Sequence, residues 1–534
     1  MKPISFWPLL AAPAASSNEF SANDSTKTPP IVSTTSGRIH GKVDPSLPNV
    51  HQYLGIPYAL PPIDAKRWAA PKPLDLPDSD VQATNLPPSC LQYFNHSPIN
   101  TEVVPEFNLQ GLNGTGAISE DCLTLSVWTP ANTTASSEGV PVLIWVYGGG
   151  YGVGSGQDVP YQIPAQWVDR TPDHIVVSFN YRLGIFGFPN AGGLTDQNLA
   201  LLDTRALVEW CRKNIAAFGG DPKRIVLWGQ SAGSLMANHY GFAYRDDPIV
   251  TGLIMNSGTA LLPYYTVNDT SRSNFTFVAD HVGCAGLADE PDKQLSCMRD
   301  VNGSVIIDFV ANYSTSIGSG GLTGLAFVPV EDNVLVFSNY TKRAMDGLQA
   351  NIVRFLIPIH TSLTCLSPSK SDCWKPAIVG TNAQDGILYA DYDPINGPNT
   401  TVGLEWDLLL FSCPATNTIR LRQQTGLVTF RSVYYGNFSN VSPLPWMGAY
   451  HGSESPILMG THPNFRGNST PEEYATSHAF QDAYVAFASD PENGLAGQGW
   501  KQYTTLGSDE VRGFGRNGVA AEDVSIASTE SLCV

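Results

Sequence analysis

Charged side chains are scarce in this chain: Asp, Glu, Lys and Arg make up 15% of its 534 residues. Basic residues are the scarcer sign, 30 Lys and Arg against 48 Asp and Glu, for a formal net charge of -18 at pH 7. A surface of that sign repels phosphate backbones and anionic headgroups, which argues against nucleic acid and anionic membranes as partners. No apolar run approaches the roughly 20 residues needed to cross a bilayer, and the C-terminal tail carries no hydrophobic anchor signal. An integral membrane anchor is therefore not expected. His and Cys nowhere fall at zinc-ligand spacing, so the reading requires neither a metal nor an organic cofactor. Internal repeats and low-complexity tracts are also absent, which argues against a solenoid and against a disordered array.

The features present point to the secretory pathway. Lys2, the short apolar stretch Ile4 to Ala12 and the small residues Ala12-Pro13-Ala14 have the layout of a signal peptide over residues 1–16. N-glycosylation sequons stand at Asn23, Asn95, Asn113, Asn132, Asn268, Asn274, Asn302, Asn312, Asn339, Asn399, Asn437, Asn440 and Asn468. One such triplet is a common accident, but this density suits a secreted glycoprotein. The nine cysteines are an odd number, so at least one is free or pairs with another chain. Cys90 and Cys122 bracket a loop rich in Pro and Asn, and Cys284 and Cys297 a short polar one. Both read as loop staples formed in an oxidising compartment. Cys365 and Cys373 could form a third; Cys211 reads as a buried thiol on a helix, and Cys413 and Cys533 stay unassigned.

Length alone suggests two or more domains, yet large α/β enzymes also grow by insertions around one sheet. The runs Val142–Val146, Ile175–Phe179 and Ile225–Trp228 are strand-length and rich in β-branched residues, as strands buried on both faces are. Between the second and third, Leu199, Leu202, Ala206, Trp210 and Ile215 recur at near-helical spacing. Strand, helix, strand is a crossover unit, and the fold class is α/β. The polar, sequon-rich stretch from Thr270 to Ala350 reads as helix-and-loop decoration over the sheet.

Two motifs carry chemistry. Gly229-Gln230-Ser231-Ala232-Gly233 follows the strand Ile225–Trp228 and precedes an apolar helix-like stretch. Its glycines permit a cramped strand-to-helix turn that thrusts the serine hydroxyl out at the sheet's carboxyl edge. The helix start behind it favours negative charge developing there. An ordinary Gly/Ser turn is the bland reading, but the motif occurs once and in the context the chemistry requires. The second motif, Tyr147-Gly148-Gly149-Gly150-Tyr151, ends the strand Val142–Val146. Three glycines there make a poor strand and expose backbone N–H groups, the donors that acyl transfer needs around a developing oxyanion.

With these motifs in place, the chain resembles the type-B carboxylesterases, the family of cholinesterases and a group of fungal lipases. Matching segments include Gly55-Ile-Pro-Tyr58, Pro61-Pro62, Glu120-Asp-Cys122-Leu and Asn180-Tyr-Arg-Leu-Gly184. They continue through Asn214-Ile-Ala-Ala-Phe-Gly-Gly-Asp-Pro222 and the serine motif to Gly448-Ala-Tyr-His451. The resemblance implies an α/β-hydrolase fold, with residues 17–534 as a single domain built on a large, mostly parallel sheet. It also implies disulfides Cys90–Cys122 and Cys284–Cys297, and oxyanion-hole donors on Gly149, Gly150 and Ala232.

The remaining members of the triad lie later in the chain, in the order acid, then histidine. Asp385 sits where the apolar run Ala377–Val379 meets the turn Gly380-Thr-Asn-Ala-Gln-Asp385-Gly386. The family more often has Glu there, so Asp385 shortens the reach. Among ten histidines, His451 lies in Gly448-Ala-Tyr-His451-Gly-Ser-Glu454, similar to the family's histidine loop. His462 and His478 read as structural, and Glu454 as scaffolding of the loop. The expected reaction is attack by Ser231 on an ester carbonyl, with His451 as general base and Asp385 orienting it, followed by hydrolysis of the acyl-enzyme.

Two departures narrow the substrate. Cholinesterases hold choline over a tryptophan shortly before the second cysteine of the first disulfide loop. Here that region reads Leu112-Asn113-Gly114, and Gln230 replaces the usual Glu before the nucleophile. The family's fungal lipases place a lid helix in the same loop, whereas Leu91 to Ser119 carries two sequons, Pro98, Pro105 and several Gly. The expected substrate is a small to medium, modestly apolar carboxylic ester, in preference to choline esters or emulsified triglyceride. An acyltransferase, or a lactone- or ester-processing enzyme of specialised metabolism, would keep the same residues. A non-catalytic adhesion relative would lose part of the triad, and the whole-chain resemblance disfavours a serine peptidase.

Overall fold

The structure, a computed structural model, describes residues 29–93, 103–105, 116–133, 138–262, 266, 271–316, 325–349, 375–393, 397–503 and 510–533. The leader 1–16, Cys365, Cys373, most of the 91–119 loop and the sequons at Asn23, Asn95, Asn113 and Asn268 lie outside the described residues.

The apolar runs become the centre of an 11-stranded sheet. In chain order its strands are β1 (Lys42–Asp44), β2 (Leu47–Pro57), β3 (Thr124–Pro130), β4 (Val140–Val146), β5 (Ile175–Phe179) and β6 (Gly220–Gln230). They continue as β7 (Gly252–Asn256), β8 (Ala377–Asn382), β9 (Thr429–Tyr434), β10 (Val511–Arg516) and β11 (Val519–Val524). Their spatial order is β11-β10-β9-β8-β7-β6-β4-β5-β3-β2-β1. Pairing is parallel from β5 through β10 and antiparallel at both margins. Every residue of β5, β7, β8 and β9 is buried, as the unbroken apolar runs of a two-faced parallel sheet require.

Helix α1 (Leu199–Asn214) makes the crossover before β6 and buries Leu207, Val208, Trp210 and Cys211 in the core that holds the sheet. Arg212 and Lys213 in its last turn complement the helix dipole, and Gly219 closes the following turn at φ 87. Asp203 on the same helix is fully buried, and the Arg182 guanidinium grips it with bonds of 2.8 and 2.6 Å. Removing either partner would strand the other's charge, so the pair fixes the helix on the strand-end loop.

Helix α2 (Ala232–Ala243) follows β6 and is buried along nearly its whole length. The 270–350 stretch forms α3 (Ser273–His281), α4 (Pro291–Asp300) and α5 (Gly303–Ser316). Phe275, Val278, Leu295, Met298 and Ile306 there share one apolar cluster with Trp68, Ile185, Phe186 and Leu199 of the main body. Helices α6 (Thr400–Asp407), α7 (Cys413–Gln424), α8 (Glu454–Met459) and α9 (Pro471–Ser489) complete the layers that matter for the site. Among the described residues no helix is long and apolar enough to cross a membrane.

Cys90–Cys122 and Cys284–Cys297 are bonded, and Cys211 is a free, buried thiol. The cysteines that sequence reading left unassigned, Cys413 and Cys533, form another bridge and tie the start of α7 to the C-terminal segment. They stand 120 positions apart in sequence, far more than the separations of 32 and 13 in the two loop staples. Only the fold brings them together.

One sequon needs correction. Asn440 is 3% exposed, and its amide nitrogen donates to His462 O, Ser469 Oγ and Glu473 Oε1. A side chain so committed has neither access nor a free nitrogen for a glycan. Asn132, Asn302, Asn312, Asn339, Asn399, Asn437 and Asn468 are exposed. Asn274 is half-buried, with its amide on Ala326 O.

Candidate active site

Ser231 sits between the end of β6 and the first residue of α2, at φ 55 and ψ -126. This is a sparsely populated conformation for a residue with a Cβ, held here by its surroundings. The Ser231 N–H donates to Asn256 O of the adjacent strand at 2.9 Å. A Cβ on Gly229 would lie 2.2 Å from Gly233 O, and one on Gly233 would lie 2.0 Å from Val146 O. These glycines are needed for close backbone approach, so that α2 can start directly against β4.

The loop after β4 meets this elbow from the other side. A Cβ on Gly148 would lie 2.7 Å from Gln230 O and 2.8 Å from the Ser231 Cβ. Gly149 and Gly150 have φ of 114 and 60, the region that glycine enters without strain. Both are exposed, and space beside Gly150 is open. Among the described residues the N–H groups of Gly149, Gly150 and Ala232 find no acceptor. The loop and the elbow therefore present unengaged donors beside the serine, as an oxyanion hole would.

Asp385 follows β8 and is fully buried. Its Oδ2 accepts from Asn382 N at 2.7 Å and Ser257 Oγ at 2.8 Å, and its Oδ1 lies 3.0 Å from His451 Nδ1. With the carboxylate fixed by those donors, the imidazole carries its proton on Nδ1 and leaves Nε2 as the acceptor. Nε2 faces the amide nitrogen of Gln230, the residue before Ser231, at 3.3 Å. The loop that carries His451 is zipped onto the turn that carries Asp385: Ala449 N–H donates to Gln384 Oε1 at 2.8 Å, and Gln384 N–H to Ala449 O at 3.0 Å. Asn382 Nδ2 adds bonds to Tyr450 O at 2.8 Å and Glu454 Oε2 at 2.6 Å.

Two further carboxyls lie in the field of Asp385. Burial, and then the charge of Asp385, pushes Glu454 up to about 7 and Asp407 up to about 7. Behind them Arg431 is buried, with its guanidinium on Val379 O and Thr381 Oγ1, and desolvation holds it below the usual arginine range. Sequence reading treated Glu454 as loop scaffolding; it is a buried first-turn residue of α8 bonded to Asn382. Ser257 and Asp407 were missed because nothing local marks them. His462 pairs with Glu473 at 3.2 Å and Ser469 at 2.7 Å, and His478 is exposed on α9. Neither is part of the group around Ser231.

Serine at a strained elbow, an imidazole oriented by a buried carboxylate, and open N–H donors form the equipment of acyl transfer. Residues 28–403 match the model of the carboxylesterase family. The chain belongs to the carboxylesterase family. It is an α/β-hydrolase and a carboxylic ester hydrolase, and the serine mechanism is general to this family. It is 39% identical over 468 residues to a chlorogenic acid esterase of Aspergillus niger, covering 87% of this chain and 83% of that enzyme. Secreted lipase 5 of Gibberella zeae is 38% identical over 498 residues, 88% of this chain and 87% of the relative. An acetylcholinesterase of Leptinotarsa decemlineata is 29% identical over 530 residues, covering 89% and 81%.

Proposed function

We propose that Ser231 is the nucleophile, His451 the general base and Asp385 the carboxylate that orients it, with Gly149, Gly150 and Ala232 donating to the oxyanion. The observation that carries this reading is the 3.0 Å contact between His451 Nδ1 and a fully buried Asp385, on the sheet edge that bears Ser231. His451 takes the Ser231 proton as the hydroxyl attacks the ester carbon, then delivers it to the departing alcohol. Water, deprotonated by the same imidazole, releases the acid and restores Ser231.

The substrate is a small to medium, modestly apolar ester. Tyr389, 39% exposed, presents its ring 5.9 Å from that of His451, which favours a flat apolar group at the mouth of the site. The name of the Aspergillus relative makes chlorogenic acid the first aromatic ester to try. The enzyme acts outside the cell, after removal of residues 1–16 as a leader, and carries glycans on exposed sequons. Residues 17–534 act as one domain.

The test is a panel on the full secreted chain: p-nitrophenyl esters from acetate to palmitate, chlorogenic acid, acetylthiocholine and emulsified triolein. The highest kcat/KM is expected on short and medium p-nitrophenyl esters and on chlorogenic acid. Preference for acetylthiocholine or triolein would reject the substrate class.

A further inference from the structure

Immediately after α6 the chain departs from α-helical winding. Leu408–Ser412 is a π-helical turn, closed by Cys413 N–H donating to Leu408 O, before α7 resumes. In an α-helix, side chains five positions apart point about 140° away from each other. A π turn, with one extra residue per turn, brings them toward one face. Ser412 Oγ accordingly reaches Asp407 Oδ2 at 2.7 Å.

The chain entering this turn packs beside the residue after Asp385, and the turn itself reaches His451. At its start, a Cβ on Gly386 would lie 2.2 Å from Asp407 N, so the residue after Asp385 is pressed against the end of α6. Toward its close, the Phe411 ring lies 4.5 Å from the His451 imidazole at an interplanar angle of 34°. Phe411 is 3% exposed, whereas Tyr389, whose ring lies 5.7 Å from it, is 39% exposed. The ring of Phe411 therefore serves the histidine and is not placed to read the substrate.

We propose that the π-helical turn 408–412 is a positioning element for the general base, with Phe411 holding the plane of the His451 imidazole and the Ser412–Asp407 bond holding Phe411 in place. The proposal rests on His451 being that base. The imidazole must swing between Ser231 and the leaving oxygen without tilting. The buried Phe411 ring, inclined at 34° to the imidazole and 4.5 Å from it, limits its tilt on one side, while the contact with Asp385 fixes its edge. Unwinding the extra residue to α geometry would rotate Phe411 away from the imidazole.

The experiment compares Phe411→Leu, Ser412→Ala and Ser412→Thr in the full secreted chain, reading kcat, KM and the thermal midpoint on a p-nitrophenyl ester. Phe411→Leu keeps apolar volume but removes the flat face. Its kcat is expected to fall by about ten- to a hundredfold, the scale of a small misplacement of a catalytic group, with KM little changed. Ser412→Ala is expected to lower kcat in the same way but less, and Ser412→Thr, which retains a hydroxyl, to recover most of it. A folded Phe411→Leu enzyme with parental kcat, or one whose loss appears in KM alone, overturns the proposal. If Phe411→Leu does not fold, equal kcat for Ser412→Ala and Ser412→Thr overturns it instead. His451→Gln is the separate control, and activity in that variant rejects the assignment of the base rather than the role of the turn.

Discussion

Around Ser231 the fold leaves no room for a Cβ on Gly148, Gly229 or Gly233, whereas around Asp385 it crowds three carboxyls and one buried arginine into the same interior. Ser231 is placed by steric exclusion: backbone from β4, β6 and α2 meets at distances only glycine tolerates. His451 and Asp385 are placed by polar bonds between segments distant in sequence: Asn382 to Tyr450, Gln384 to Ala449 and Ser257 to Asp385. The first arrangement is rigid and indifferent to pH. The second holds ionisable groups in low dielectric, where pH enters directly.

The largest expected effect separates chemistry from scaffolding on the two sides. Ser231→Ala is expected to lose about a millionfold in kcat while staying folded. Asp385→Asn is expected to lose about ten-thousandfold by leaving the imidazole in the wrong tautomer. Single-turnover assays with circular dichroism of the same samples check both; parental activity in either variant removes that residue from the proposed triad.

A smaller effect tests the steric side alone. Gly233→Ala places a methyl group 2.0 Å from Val146 O, so about 3 kcal/mol or more of stability is expected to be lost in denaturant unfolding. A variant as stable as the parent would show that the elbow yields to a methyl group and that steric exclusion does not place Ser231.

The smallest effect tests the electrostatic side. Glu454 rises from an ordinary value of 4.5 to about 7, so between those values the folded state holds a proton that the unfolded chain releases. The stability linked to that proton is fully present below pH 4.5, is lost as pH rises through that window, and is gone above about pH 7. Glu454→Gln keeps an acceptor for Asn382 and removes the titration. The variant is expected to gain on the parent as pH rises from 4.5 to 8, by on the order of 3 kcal/mol at most. Unfolding curves at the two pH values decide it, and a gap that does not widen would mean Glu454 is not held protonated.

Legibility in the sequence follows the same division. The strands β4, β5 and β6, the crossover helix, the serine elbow and the glycine loop were readable because their determinants are local: β-branched runs, helical spacing, and glycine where backbone must pass closely. Asp385 and His451 were found only with the help of resemblance, since a turn aspartate and a loop histidine carry no local mark. Ser257, Asp407, Phe411 and the Cys413–Cys533 bridge gave no signal at all, because each acquires its meaning from a partner far along the chain. The sequon at Asn440 shows the converse, a clear local signal that burial cancels.

What the sequence determined by itself is the backbone chemistry: which segments become buried strands, where the chain can turn sharply enough to expose a serine, and which glycines leave N–H groups open. What the tertiary structure decided is the company each ionisable and aromatic side chain keeps. The physical reason is range. Backbone sterics act between near neighbours and are written in residue type, while burial, charge coupling and ring contact depend on distances that exist only after the sheet has closed around them.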